Sequence, residues 1–361
     1  MAAPVLTRSL LAQPARATAR LIGRAYLQRV LEEAARVEVP VEELTGAATS
    51  RAAERQREAV HDLHVALRHL RNWLRAWRPF LRNTVHRDAE RRLQKLSRLA
   101  GQVRDLEVQR SWLTGERVER SRVTGATARS MVERIEAEHA KAHRVLAIRL
   151  MKRLGRAAGT LAEDLEDLDP ADLQDATEPA TASAMSQLIA EHAEELPRVL
   201  RRLQRAGNGD EAHAARIAIR RFRYLLDTFG HRSPDVRLVT HYLTNIQDKL
   251  GELHDAQVLA DRLESVSRKT RKTGRSRAKR HGVRRAGVEA LRRMLRRRIA
   301  SESRQVRRAI GGSGQARAMA ATVRVIARLN GFNIAAVAQR PRRQKHAMTG
   351  EAVNSQRGSA G

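Results

Sequence analysis

Residues 61–77, HDLHVALRHLRNWLRAW, recur as residues 213–229, HAARIAIRRFRYLLDTF. This recurrence constrains the fold more than any other feature of the chain. Both segments carry two stripes. The apolar stripe is Leu63, Leu67, Leu70, Leu74 and Trp77 in the first copy and Ala215, Ile219, Phe222, Leu226 and Phe229 in the second. Residues three and four apart share a helix face, whereas strand side chains alternate, so the spacing is helical. The other stripe is His61, His64, Arg68, Arg71 and Arg75, matched by His213, Arg216, Arg220 and Arg223. No acid lies on it in the first copy, and only Asp227, opposite Arg75, breaks the match in the second.

The following helix repeats as well. AGQVRDLEV at 100–108 lies over LGELHDAQV at 250–258, placing Gly101 on Gly251, Arg104 on His254 and Asp105 on Asp255. Two helices in the same order, with a two-residue drift between them, indicate a duplication. An all-α chain follows, with each half a four-helix bundle and the halves packed with approximate two-fold symmetry. Glycine inside a helix costs about 1 kcal/mol relative to alanine, so close approach of a neighbouring helix is the expected reason for Gly101 and Gly251.

The remaining chain is divided by composition. Residues 1–18 read as a flexible leader and 19–155 as the first bundle. Residues 156–181 read as an acidic linker: from Glu163 to Glu178 there are eight acids and no base. Residues 182–310 form the second bundle, with a basic loop at 268–282. Gly311-Gly312-Ser313-Gly314 opens a largely disordered tail, 311–361, with at most one short helix.

With 70 Lys+Arg against 40 Asp+Glu, the net charge is +30, and a compact body with that excess repels itself. Nucleic acid, an anionic membrane surface and inorganic polyphosphate are polyanions that would relieve it. Arginine dominates, and its planar fork suits phosphate oxygens. The absence of Cys excludes disulfides, iron–sulfur clusters and thiolate zinc sites. No apolar run approaches the roughly 20 residues a membrane span needs, and a cytoplasmic location is expected. Aromatics make up only 3%, which leaves an aliphatic core and little to stack on the bases of a single strand.

The paired motifs, HDLHVALRHLR with GQVRDLEV and HAARIAIRRFRYLLDTF with LGELHDAQV, resemble the conserved-histidine α-helical domain (CHAD) family over about residues 50–310. The resemblance implies two four-helix bundles with pseudo-two-fold symmetry around a basic central cavity. It also implies binding of inorganic polyphosphate and association with polyphosphate granules. The chain departs from the family at His64 and His69, where Arg is usual. That leaves the first copy with less permanent charge than the second.

If the two stripes face each other, they line a channel with His61, His64, Arg68, Arg71, Arg75, His213, Arg216, Arg220 and Arg223. On the following helices Arg91, Arg98, Arg104 and His254 complete the binding set. Asp105 and Asp255 are expected to orient arginines through salt bridges. Binding without catalysis, cofactor or metal is expected. His61 and His64 have the spacing of a ligand pair, but a bound anion favours their protonated form, and protonation competes with a metal. Their protonation should strengthen binding as pH falls from about 8 to 6. The alternative is a basic protein that binds nucleic acid non-specifically. The sequence leaves the oligomeric state open.

Overall fold

The computed structural model describes residues 5–37, 47–81, 85–166, 178–206, 209–230, 233–272 and 285–338. Among them are twelve helices and no strand: α1 (Arg8–Ala12), α2 (Ala15–Ala35), α3 (Ala47–Ala76), α4 (Arg78–Leu81), α5 (Arg87–Leu113), α6 (Glu116–Glu119), α7 (Gly125–Glu166), α8 (Thr181–Ala206), α9 (Gly209–Asp227), α10 (Pro234–Lys272), α11 (Arg285–Ile310) and α12 (Ser313–Ala338). The chain is all-α, as the two stripes require.

The repeated helices are α3 and α9, each followed by its repeated partner, α5 and α10. The whole first apolar stripe is buried, Leu63 to Leu74 within α3 and Trp77 just past its end, and in α9 Ala215, Ile219, Phe222 and Leu226 are buried in the same way. Helices α2, α3, α5 and α7 pack in a closed ring, and so do α8, α9, α10 and α12. Counterparts also meet: α3 packs on α9, α5 on α10 and α2 on α8.

Two cores hold this arrangement. The larger runs through both rings, and Trp73 anchors α3 to α2 in it by donating its indole N–H to the Ala19 carbonyl at 2.8 Å. The smaller core joins the halves, with Leu106 and Leu113 of α5, Met131 and Ile135 of α7, Leu259 and Leu263 of α10, and Leu291 and Leu295 of α11. Helix α11 approaches α7 closely. A Cβ on Gly287 would lie 2.1 Å from Thr127 Oγ1 and 2.9 Å from the Val123 carbonyl oxygen. Only glycine fits that crossing.

Three expectations about the segments need correction. The leader is structured from residue 5: Leu6 N–H bonds to the Thr228 carbonyl at 2.7 Å, Ala15 N–H to that of Pro179 at 2.9 Å and Thr181 N–H to that of Gln13 at 2.8 Å. The linker begins later than residue 156, because α7 continues to Glu166, with Leu161 and Leu165 in the core. The tail opens with α12, which closes the second ring and buries Ala318, Ala321, Val325 and Leu329. Gly312 does break the chain there, at φ +81°, but only between two packed helices. The central acids of the linker, most of the basic loop and residues 339–361 lie outside the described residues.

Candidate functional site

The cationic stripes of α3 and α9 meet where the two rings touch. Arg68, Arg71, Arg216, Arg220 and Arg223 are all half-buried, while His61, Arg75 and His213 stay exposed at the margins. Burial, then the nearby charges of Arg68 and Arg216, push the Arg220 guanidinium down to about 10. Arg216 is lowered too, first by burial, with Arg68 acting against it and Asp255 and Asp105 in its favour.

Three donors here stand apart. Arg68 Nε, Arg216 Nη1 and Arg220 Nε are buried with no hydrogen-bond partner among the described residues. Leaving a buried donor unmade costs about 1–3 kcal/mol, more when the group is charged. Other members of the stripe are tied down by the protein. Arg71 donates to Ser97 Oγ at 3.3 Å. Arg223 donates to Gln247 Oε1 at 3.2 Å and sits 3.8 Å from Asp227, the one acid on the second stripe. The Tyr224 ring lies between cations, with Arg223 4.8 Å and Arg68 5.7 Å from its centroid.

The following helices supply the next layer. Arg104 donates to buried Glu107 at 2.9 Å. His254 is pushed down to about 4 by burial and then by Arg216, His213 and Arg220. Asp105 and Asp255 do not form the expected orienting salt bridges: neither is in ion-pair contact with an arginine among the described residues. Burial raises both carboxyls, and the Asp255 charge raises Asp105 further. They act on Arg216 and Arg104 at longer range. Arg98 lies near Arg71, at the other end of the groove, and with Arg75 adds to the lowering that burial imposes on Arg71. Arg91 is not brought to this groove; it sits 3.8 Å from Asp88 in a cleft between α5 and α7.

His64 and His69, the histidines aligned with Arg216 and Arg221 of the second copy, take different roles. His64 is pushed down to about 3 by burial and then by Arg68 and Arg220, which keeps it neutral near neutral pH. It stands over Gly101, where a Cβ would come 3.3 Å from His64 Cε1. Close approach explains Gly101, as expected. It does not explain Gly251, whose Cβ would meet nothing within 4 Å. His69 packs between rings, 4.1 Å from Tyr224 and 5.7 Å from Tyr26 by centroids, and burial followed by Arg223, Arg29 and Arg68 drives it to about 3. It is a packing residue.

Two further cations emerge only in three dimensions. Arg221, the counterpart of His69, has a buried Nε without a partner among the described residues and lies close to Arg75. Arg298 of α11 stands near Asp255. The Arg220-Arg221 doublet and the Arg296–Arg298 run were the only signals for them in sequence.

A family model described as the CHAD domain matches residues 35–264. The chain belongs to the CHAD domain family. Among solved structures, the CHAD domain from the plant Ricinus communis superimposes with a TM-score of 0.61 at 19% identity, covering 86% of this chain and 96% of that one. PptA from Streptomyces chartreusis superimposes with a TM-score of 0.53 at 13% identity, over 84% and 98% of the two chains. At such identities the likeness concerns the fold. No curated protein sequence matches the chain. The CHAD model ends within α10, so α11 and α12 lie beyond it, although both pack into the domain. No helix among the described residues is long and apolar enough to cross a membrane, and no cluster of three or more His, Asp or Glu among them could hold a metal.

Proposed function

We propose that this protein binds inorganic polyphosphate, without turning it over, in the groove between α3 and α9. An approximate two-fold relation between the rings would present the two stripes to one extended chain. One observation carries the reading: Arg68, Arg216 and Arg220 converge, half-buried, and their Nε, Nη1 and Nε donors respectively meet no acceptor among the described residues. Such a cluster needs an anion from outside. Polyphosphate is a flexible line of phosphates that asks only for closely spaced donors, and forked guanidinium contacts serve it. CHAD membership supports the same ligand, and with it association with polyphosphate granules in the cytoplasm.

The alternative ligand, nucleic acid, is less well served. Single-strand binding relies on aromatic rings that offer a free face to bases. The ring at this groove, Tyr224, is already covered by Arg223, Arg68 and His69.

The test is retardation of long-chain polyphosphate by the purified protein at about 150 mM salt, where phosphate contacts are already weakened. The variant Arg68→Glu/Arg71→Glu/Arg220→Glu/Arg223→Glu should abolish it while keeping its helical circular dichroism. Duplex DNA should fail to displace the bound chain. Undiminished binding by the folded quadruple variant overturns the groove. Release of orthophosphate with Mg²⁺, lost in His61→Ala/His213→Ala, overturns the non-catalytic reading.

A further inference from the structure

A second basic cleft lies outside the groove, between α5 and α7. Its α5 wall carries Arg91, Arg92 and Lys95, and its α7 wall carries Arg149, Lys152, Arg153 and Arg156. The α7 residues are spaced three, four and seven apart, so they form one helix stripe, as do those of α5. The cleft encloses about 510 Å³, and a single acid lines it, Asp88. Asp88 is engaged by its own helix, with Arg92 Nη2 at 3.4 Å and Arg91 Nη1 at 3.8 Å. Lys95, Arg149, Lys152, Arg153 and Arg156 have no ion pair among the described residues.

The cleft does not end there. It runs on along α5 into a hollow of about 420 Å³ that shares Arg92, Lys95, Arg149 and Arg153 and adds Arg98 and Gln102. Arg98 is the residue whose charge reaches Arg71 at the end of the α3–α9 groove. At 1.5 Å of rise per residue, Arg91 to Gln102 spans about 16 Å of helix. A cationic track therefore leads from the groove, past Arg98, along the outer seam of the first ring.

Resting on the polyphosphate reading of the groove, we infer that the α5–α7 cleft is a second subsite on the same polyanion chain, which a chain reaches only when long enough to leave the groove past Arg98. The cations on its walls sit in an open seam that needs no side-chain repacking to admit phosphates. A short polyphosphate fills the groove alone. A long one gains the contacts of the cleft, so chain-length preference is built into the first half of the molecule.

The experiment compares tripolyphosphate with long-chain polyphosphate by titration calorimetry on the full chain. The variant is Arg149→Glu/Lys152→Glu/Arg156→Glu, three exposed positions whose reversal disturbs no core contact. Tripolyphosphate affinity should stay within about twofold. Long-chain affinity should fall at least tenfold, and the slope of log affinity against log salt should become shallower by about 2. Unchanged long-chain affinity, or equal losses for both ligands, overturns the cleft and leaves the groove standing. If the wild type binds neither ligand, the groove reading itself fails and the cleft goes with it. A melting temperature equal to the wild type's shows that a loss reflects the cleft rather than the fold.

Discussion

The two halves of the molecule do the same job with different parts. In the first, one 42-residue helix, α7, serves both cores: Met131 and Ile135 of its N-terminal part sit in the smaller, and Leu146 to Leu165 of its C-terminal part close the ring in the larger. In the second half the chain breaks at Gly312, so α11 supplies Leu291 and Leu295 to the smaller core and α12 closes the ring. The cationic stripes differ in the same spirit. The first half places neutral His64 and His69 where the second has Arg216 and Arg221. The difference teaches how a groove lined by cations tolerates itself. With Arg68 and Arg216 already lowering Arg220, a further permanent charge at His64, which Arg68 and Arg220 face, would add repulsion.

The largest expected effect concerns acid. The folded protein holds His64 and His69 at about 3 and His254 at about 4, below the ordinary 6.5. The unfolded chain therefore binds more protons between these values, so the stability due to neutral histidines is complete above about pH 6.5 and is lost as pH falls towards 4. Melting temperature without ligand should fall by several degrees between pH 6.5 and 4.5, and less in His69→Phe. A flat profile breaks the account of the neutral histidines. The same geometry alters the expected pH dependence of binding. Because burial and the neighbouring arginines keep His64 neutral between pH 8 and 6, its share of any affinity gain falls below pH 6, where a bound polyanion can draw a proton onto it.

A smaller effect tests the asymmetry directly. His64→Arg makes the first stripe resemble the second. Polyphosphate affinity at neutral pH should rise about tenfold, the worth of one added charge-assisted contact. The ligand-free melting temperature should fall, because the groove gains a charge without an acceptor. Tighter binding with no loss of stability would show that the histidines do not serve to relieve repulsion.

The smallest effect separates two glycines that look equivalent in sequence. Gly251→Ala should stabilise the protein by up to about 1 kcal/mol, since a Cβ there meets open space. Gly101→Ala should gain less or nothing, because its Cβ presses on His64. Chemical denaturation of both variants measures the gap. Equal gains would mean that His64 gives way freely.

What was legible in the sequence was whatever repeated. The apolar stripe of α3 could be read residue by residue, and all five positions are buried. The register of α5 with α10 came from AGQVRDLEV over LGELHDAQV. Features with a single copy were hidden. Helix α12 begins inside a Gly-Gly-Ser-Gly stretch, and half of its buried stripe is alanine, so neither its start nor its face stands out. The N-terminal segment gains order from carbonyls more than 150 residues away, and no local pattern announces such contacts. The site was legible as a set of cations but not as a geometry. Sequence placed Arg91 with the groove because it lies on the right helix, whereas its face points to α7. It gave Asp105 and Asp255 salt bridges because acids beside arginines usually form them, and here the groove keeps them apart.

The contacts of residues 5–15 carry a consequence for the order in which the domain assembles. Leu6 is held by Thr228 and Ala15 by Pro179, while Val5 lies against Gly230. Synthesis runs from N- to C-terminus, so residues 5–15 are made well before the residues that seat them, at 179 and then at 228–230. A chain that stalls before the end of α9 leaves Leu6 without its Thr228 partner.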